Sequence, residues 1–130
     1  MTQGQRSMPV LTVTNIAETV AFFTEGLGFR LAGIQKEPDG SDKFAIVQMD
    51  HITLGLREQE DAQPSSGWSA YLYLKDISVF ADHIQGNGIR IQRGPEDSFY
   101  HCTELEVKDP TGNILCFAQD HKPGADGSGL

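Results

Sequence analysis

Two stretches of this chain, about sixty residues apart, follow one plan. Gly26-Leu27-Gly28-Phe29-Arg30 returns as Gly86-Asn87-Gly88-Ile89-Arg90. Each closes a helix-like segment that opens on a capping residue and an isoleucine, Asn15-Ile16 in the first and Asp76-Ile77 in the second. Each also follows an apolar strand, Val10-Leu11-Thr12-Val13 or Ala70-Tyr71-Leu72-Tyr73-Leu74. Internal repetition fixes architecture before any single residue is interpreted. A unit this long, occurring twice, reads as a duplicated module and not as a solenoid.

Periodicity fills in the modules. Residues 8–14 alternate as a first strand. Asn15 caps a helix through Thr24, with Ile16, Val20 and Phe23 at helical spacing and Gly26 and Gly28 stopping it. Strands follow at 29–35, 43–49 and 52–57, broken by Pro38-Asp39-Gly40 and by the tight Asp50-His51 connection. The second copy predicts strands at 68–74, 89–93, 99–108 and 114–119. Its helix spans 76–85, with Ile77, Phe80 (or Ala81) and Ile84 facing inward.

The expected fold is therefore α+β, two tandem βαβββ modules in a curved eight-stranded mixed sheet with the helices on the convex face. The divisions are an N-terminal arm over 1–7, modules over 8–57 and 67–119, a polar linker over 58–66, and a disordered Gly-rich tail over 120–130. One face of each sheet has no helix to cover it. That face must be polar, filled by a ligand, or covered by another chain.

Composition narrows the partners. Ten Lys and Arg stand against eighteen Asp and Glu, a net charge of −8. A field of that sign repels nucleic acid and anionic lipid and attracts cations. With no apolar run of membrane-spanning length and no signal-like N-terminus, a cytoplasmic location is expected. Cys102 and Cys116 read as free thiols. A hairpin turning at Asp109-Pro110-Thr111-Gly112 would set Cys116 opposite Leu105 and Cys102 on the other face.

Layout and local wording together resemble the vicinal oxygen chelate superfamily, which includes glyoxalase I, extradiol dioxygenases and the fosfomycin- and bleomycin-resistance proteins. The residues that carry the likeness are Pro9-Val10-Leu11-Thr12-Val13, Val20-Ala21-Phe22-Phe23 with Leu27-Gly28-Phe29, and the Asp109-Pro110-Thr111-Gly112-Asn113 turn. The bleomycin-resistance branch is the nearest, since it too alternates aromatics where this chain has Tyr71-Leu72-Tyr73-Leu74.

The resemblance implies four metal-ligand slots, at the start of each module's first strand and on each fourth strand. They fall on Met8, Leu54 (or its neighbour Gly55), Ser69 and Cys116. These side chains are not the imidazole and carboxylate donors that such an ion needs. The expectation is thus no metal, no cofactor and no catalytic residue, in keeping with a branch that sequesters its drug without turnover. The resemblance also implies a homodimer with ligand clefts between subunits.

The candidate ligand residues follow from strand faces and from that branch. Tyr71 and Tyr73 share the face of Ser69, and Phe44 offers an apolar wall. The position at which the branch stacks a tryptophan on its drug falls on His101, flanked by Phe99 and Tyr100. By alternation His101 joins Thr103, Leu105 and Val107 on the face of Cys116. Trp68 has the other parity and is expected to pack under a helix or at the linker, while Glu104, Glu106 and Lys108 read as a solvated outer face. His51 reads as a solvated turn residue, His83 as a residue of the second helix's polar side and His121 as part of the tail.

The leading expectation is metal-independent binding of a planar, cationic small molecule, concretely a bleomycin-type antibiotic. The alternative is a metal-dependent lyase, isomerase or dioxygenase with its metal displaced toward His51, His101 or Glu104. A third is a protein-interaction module with no small-molecule role.

Overall fold

The computed structural model describes residues 1–121. The first module runs β1 (Val10–Val13), α1 (Ile16–Ala21), β2 (Arg30–Lys36), β3 (Asp42–Met49) and β4 (Ile52–Glu58). The second repeats it as β5 (Trp68–Tyr73), α2 (Ile77–Gly86), β6 (Arg93–Asp97), β7 (Cys102–Lys108) and β8 (Ile114–Asp120). Both modules have the predicted α+β, βαβββ order. Their strands pair as two four-stranded sheets, β1-β4-β3-β2 and β5-β8-β7-β6. In each sheet the first and fourth strands are parallel and the other pairs antiparallel.

Each sheet is closed on one face by its helix. In the second module Ile77, Phe80, Ala81 and Ile84 of α2 are buried together with Leu105, Val107, Leu115 and Phe117. The Phe80 and Phe117 rings meet at 4.6 Å. In the first, Leu11, Val13, Ala45, Val47, Leu54 and Leu56 form the corresponding layer. Asn15 and Asp76 cap the helices as predicted, accepting from the Glu18 and Val79 N–H groups at 2.9 and 3.1 Å.

Some predicted elements differ, and the strand expected over 99–108 begins only at Cys102, after a turn that holds Phe99, Tyr100 and His101. The α-helix of the first module ends at Ala21 and continues as a π-helical turn over Phe22–Gly26, in which the Leu27 N–H reaches the Phe22 carbonyl at 3.1 Å. The wider turn sets Phe23 edge-on to both Phe22 and Phe29. The strand predicted over 89–93 begins at Arg93 instead and runs to Asp97, because Ile89 and Ile91 are spent on packing against the core before the strand starts. The tail was expected from position 120, but Asp120 closes β8 and the His121 N–H bonds the His101 carbonyl at 2.8 Å. The rest of that expectation lies outside the described residues.

The modules are joined at their turns. Asp109 Oδ1 accepts from the N–H groups of Thr111, Gly112 and Asn113 at 3.0, 2.9 and 2.8 Å, which folds the β7–β8 connection. Asn113 is thereby placed to donate Nδ2 to the Thr12 carbonyl of β1 at 3.0 Å. At the helix ends Asn87 Nδ2 donates to the Gly26 carbonyl at 3.1 Å. A Cβ on Gly26 would stand 2.5 Å from Ile89 Cδ1, so any larger residue there must push the Ile89 side chain aside.

Candidate functional site: a wall of rings over a carboxylate cluster

Two details of register decide which side chains share the helix-free face of the second module. Between Trp68 and Ala70 the β5–β8 ladder shifts by one residue. That irregularity resets the alternation and brings Trp68 onto the same face as Tyr71 and Tyr73. The β7–β8 ladder pairs Lys108 with Ile114, so Cys116 lies opposite Glu106, not Leu105. A slip of one residue exchanges the two faces of a strand. Leu105 and Val107 therefore enter the core, and Cys102, Glu104 and Glu106 share the Cys116 face.

On that face the rings of Trp68, Tyr71 and Tyr73 form a row, with centroids 4.9 and 5.3 Å apart. Trp68 and Tyr73 are each nearly half exposed. Trp68 thus belongs to the open wall and is not packed under a helix.

Beneath the row lies a polar network that the expected solvated face did not include. Glu104 is only 3% exposed. Its Oε2 accepts from the Tyr71 phenol at 2.6 Å and also from the Tyr100 phenol. Its Oε1 accepts from Arg93 Nη2 at 2.9 Å. The same Nη2 lies 2.8 Å from Glu106 Oε2, which also accepts from the Trp68 indole N–H at 2.8 Å. Arg93 Nη1 bonds Glu96. A close approach at Gly94 helps place this arginine: its φ is +85°, and a Cβ there would be 2.1 Å from the Glu104 carbonyl oxygen.

Protonation states follow from these contacts. Burial, the strongest influence on Glu104, pushes its pKa up, but hydrogen bonds from Tyr100, Tyr71 and Arg93 outweigh it and hold the carboxyl below its ordinary range. The Arg93 hydrogen bond lowers Glu106. Burial and then the Glu104 hydrogen bond raise Tyr71, and burial raises Tyr73. Cys116 is pushed up to about 12 by burial and next by the Glu104 charge. Near neutral pH the face thus presents protonated phenols, a protonated thiol and ionised, partnered carboxylates. It can hold a flat guest by stacking and edge contacts.

The remaining predicted ligand residues are spread more widely. Tyr100 joins the network through its phenol, and Phe99, almost wholly exposed, lies edge-on to it at 4.9 Å. His101 is not on the strand. It precedes β7 with φ of +67°, exposed, so it does not share the Cys116 face. Phe44 stands on the first module's sheet, with the Arg57 guanidinium 5.8 Å from its ring centroid. Its ring edge lies 2.8 Å from where a Gly55 Cβ would be, so Phe44 packs over Gly55 and would have to shift for a larger residue.

A cavity of about 460 Å³ opens where the modules meet, between Met49 and His51 of the β3–β4 turn, Tyr73 and Leu74, and Phe80 and His83 of α2. A smaller one of about 260 Å³ shares His51 and Tyr73 and reaches Tyr71. His51 does occupy a turn, but it and His83 also border this space.

The family's metal slots do not offer a metal-binding set here. Leu54 is fully buried in the core, and its neighbour Gly55 is the residue on the open face. Met8 reaches within 3.4 Å of the Gly55 position, Ser69 meets Ser65 at 3.1 Å, and Cys116 is a buried, protonated thiol. A thioether, a hydroxyl and one protonated thiol do not suit a hard divalent ion. Among the described residues, no group of three or more His, Cys, Asp or Glu side chains is placed to hold an ion. Nor is any helix among them long and apolar enough to cross a membrane.

Duplicated βαβββ modules, each with its helix on one face of a four-stranded sheet, define a glyoxalase-like fold. Residues 7–117 match the profile of the glyoxalase/bleomycin resistance protein/dioxygenase superfamily, and the chain belongs to that superfamily. Among solved structures it is similar to a bleomycin-binding protein complexed with bleomycin, at 24% identity and a TM-score of 0.75, covering 91% of this chain and 100% of the other. The bleomycin resistance determinant encoded on transposon Tn5 gives 23% identity and a TM-score of 0.75, covering 91% and 99%. A Streptomyces antibiotic-binding protein gives 20% identity and a TM-score of 0.71, covering 91% and 98%. At these identities the likeness speaks for the fold alone. No curated protein matches the chain.

Proposed function

We propose that this protein binds and sequesters a planar, cationic small molecule without a metal, a bleomycin-type antibiotic being the concrete version. The observation that carries this reading is the row of Trp68, Tyr71 and Tyr73 rings, held open over the buried Glu104 carboxylate on a face with no helix to cover it. Tyr71 and Tyr73 supply the stacking surface, extended by Phe99 and Tyr100 at the β6–β7 loop. The cluster of Glu96, Glu104 and Glu106 against the single Arg93 leaves the wall negative, and the chain's net charge of −8 adds long-range attraction for a cation.

Two partly exposed faces in one chain favour a homodimer. In that arrangement the first-module face of a second copy, with Phe44, closes the cleft over the rings. The structural likeness to a bleomycin complex and to an antibiotic-binding protein supports the same reading.

Trp68 is the chain's single tryptophan, so titration with bleomycin is followed through its fluorescence and by calorimetry. Saturable binding at submillimolar drug, unchanged by prior chelation, is expected. Its absence removes the antibiotic version. Light scattering reads the dimer directly as twice the chain mass.

A further inference from the structure

Three aromatic side chains on the wall hydrogen-bond to two carboxylates that share one guanidinium. Arg93, at the first position of β6, is about a third exposed. Its Nη2 spans two carboxylates of β7, Glu104 at 2.9 Å and Glu106 at 2.8 Å. Those carboxylates in turn hold the rings: Glu104 accepts from the phenols of Tyr71 and Tyr100, and Glu106 accepts from the indole of Trp68. The rings come from β5 and the β6–β7 loop, the carboxylates from β7 and the cation from β6, so no neighbouring pair in sequence fixes this geometry. Without a cation, two carboxylates two residues apart on one strand face repel, and buried Glu104 is left without its counter-charge.

We propose that Arg93 is the positioning residue of the ligand wall: through Glu104 and Glu106 it preorganises Trp68, Tyr71 and Tyr100 for a flat guest. This rests on the reading of that face as a binding site. Preorganised rings save the guest the cost of ordering them. Lysine cannot replace the guanidinium fully, since a point charge on a flexible stem does not reproduce a planar fork.

The test uses the full chain as Arg93→Gln, Arg93→Lys and Arg93→Ala. In the ligand-free protein, Arg93→Gln is expected to make Trp68 more accessible to acrylamide quenching and to shift its emission. Bleomycin affinity is expected to fall by about tenfold or more. Arg93→Lys is expected to fall between wild type and Arg93→Gln on both readouts. Methylguanidinium added to Arg93→Ala is expected to return Trp68 quenching toward the wild-type value, a rescue that a merely structural loss would not give.

Wild-type quenching in folded Arg93→Gln overturns the proposal. If Arg93→Gln does not fold, Arg93→Lys with wild-type quenching and affinity overturns it instead. Arg93-dependent quenching in a protein that binds no bleomycin sinks the antibiotic reading and leaves the positioning role standing. Intact bleomycin binding with Trp68 indifferent to Arg93 does the reverse.

Discussion

Glu58, the last residue of β4, accepts a hydrogen bond from the backbone N–H of Ile16 at 2.9 Å. Sixty-one residues later Gln119 does the same for Ile77 at 3.0 Å. In both modules the fourth strand thus satisfies the first orphan N–H of the helix, beside the Asn15 or Asp76 cap. The repeat extends to single hydrogen bonds, although the residue types differ. Glu58→Ala and Gln119→Ala are each expected to cost about 1 kcal/mol, and Glu58→Gln much less, read by urea unfolding. A cost for one and not the other would mean that the two modules are not capped equivalently.

Glu104 and Glu106 make stability depend on acid. Both are held below the ordinary carboxylate value, so the unfolded chain takes up protons at higher pH than the folded one. Their contribution is complete above the ordinary value of 4.5 and is lost as pH falls through the lower folded values. Glu104→Ala, which takes one of three carboxylate partners from Arg93 and the Glu104 acceptor from the Tyr71 and Tyr100 phenols, is expected to cost about 3 kcal/mol at neutral pH. It is also expected to flatten the acid limb of a stability–pH profile. An unchanged acid limb would show that Glu104 is not ionised in the folded state.

Cys116 contributes on the alkaline side. Its thiol is fully buried and pushed up to about 12. Between the ordinary value of 9.0 and about 12 the unfolded chain loses this proton and the folded one keeps it, so stability declines as pH rises through that window. At pH 8 (roughly the reactivity threshold of an ordinary thiol) Ellman's reagent is expected to label Cys116 only as fast as the protein opens. Rapid stoichiometric labelling of folded Cys102→Ser, in which Cys116 is the one remaining thiol, would contradict that burial.

Gly94 couples the site to the sheet. With φ at +85° and the Glu104 carbonyl oxygen 2.1 Å from a new Cβ, Gly94→Ala must displace β6 from β7. A loss of roughly 2 kcal/mol or more is expected, accompanied by the same increase in Trp68 quenching that Arg93→Gln gives. Loss of stability without that increase would separate the strand contact from the ring wall.

The modules, both caps and the inward face of α2 were legible because helices and turns write themselves in local patterns: Asn15, Asp76, and Ile77 with Ile84, although Phe80 and Ala81, read as alternatives, are both buried. The site was less so, since strand faces depend on register. One irregularity between Trp68 and Ala70, and one residue of pairing between Cys116 and Glu106, moved Trp68, Glu104 and Glu106 onto the open face and took His101 off it. The alternation of Glu104 and Glu106 was visible as a motif. What it lacked was its cation, because Arg93 is brought to it only by the β6–β7 pairing.

Tyr71 and Tyr73 separate stability from binding. Tyr73 is nearly half exposed and touches Tyr71 edge-on, whereas the Tyr71 phenol is committed to Glu104 at 2.6 Å. Tyr73→Ala therefore removes stacking surface at little structural cost. It is expected to lower stability by under about 1 kcal/mol while weakening bleomycin binding by roughly tenfold. Tyr71→Phe keeps the ring but takes one donor from a buried carboxylate, so about 1–2 kcal/mol of stability is expected to go while affinity changes by only a few-fold. Calorimetric titration and urea unfolding of the two variants, run in parallel, read both quantities. Equal loss of affinity in both would place recognition on the hydroxyls and not on the faces of the rings.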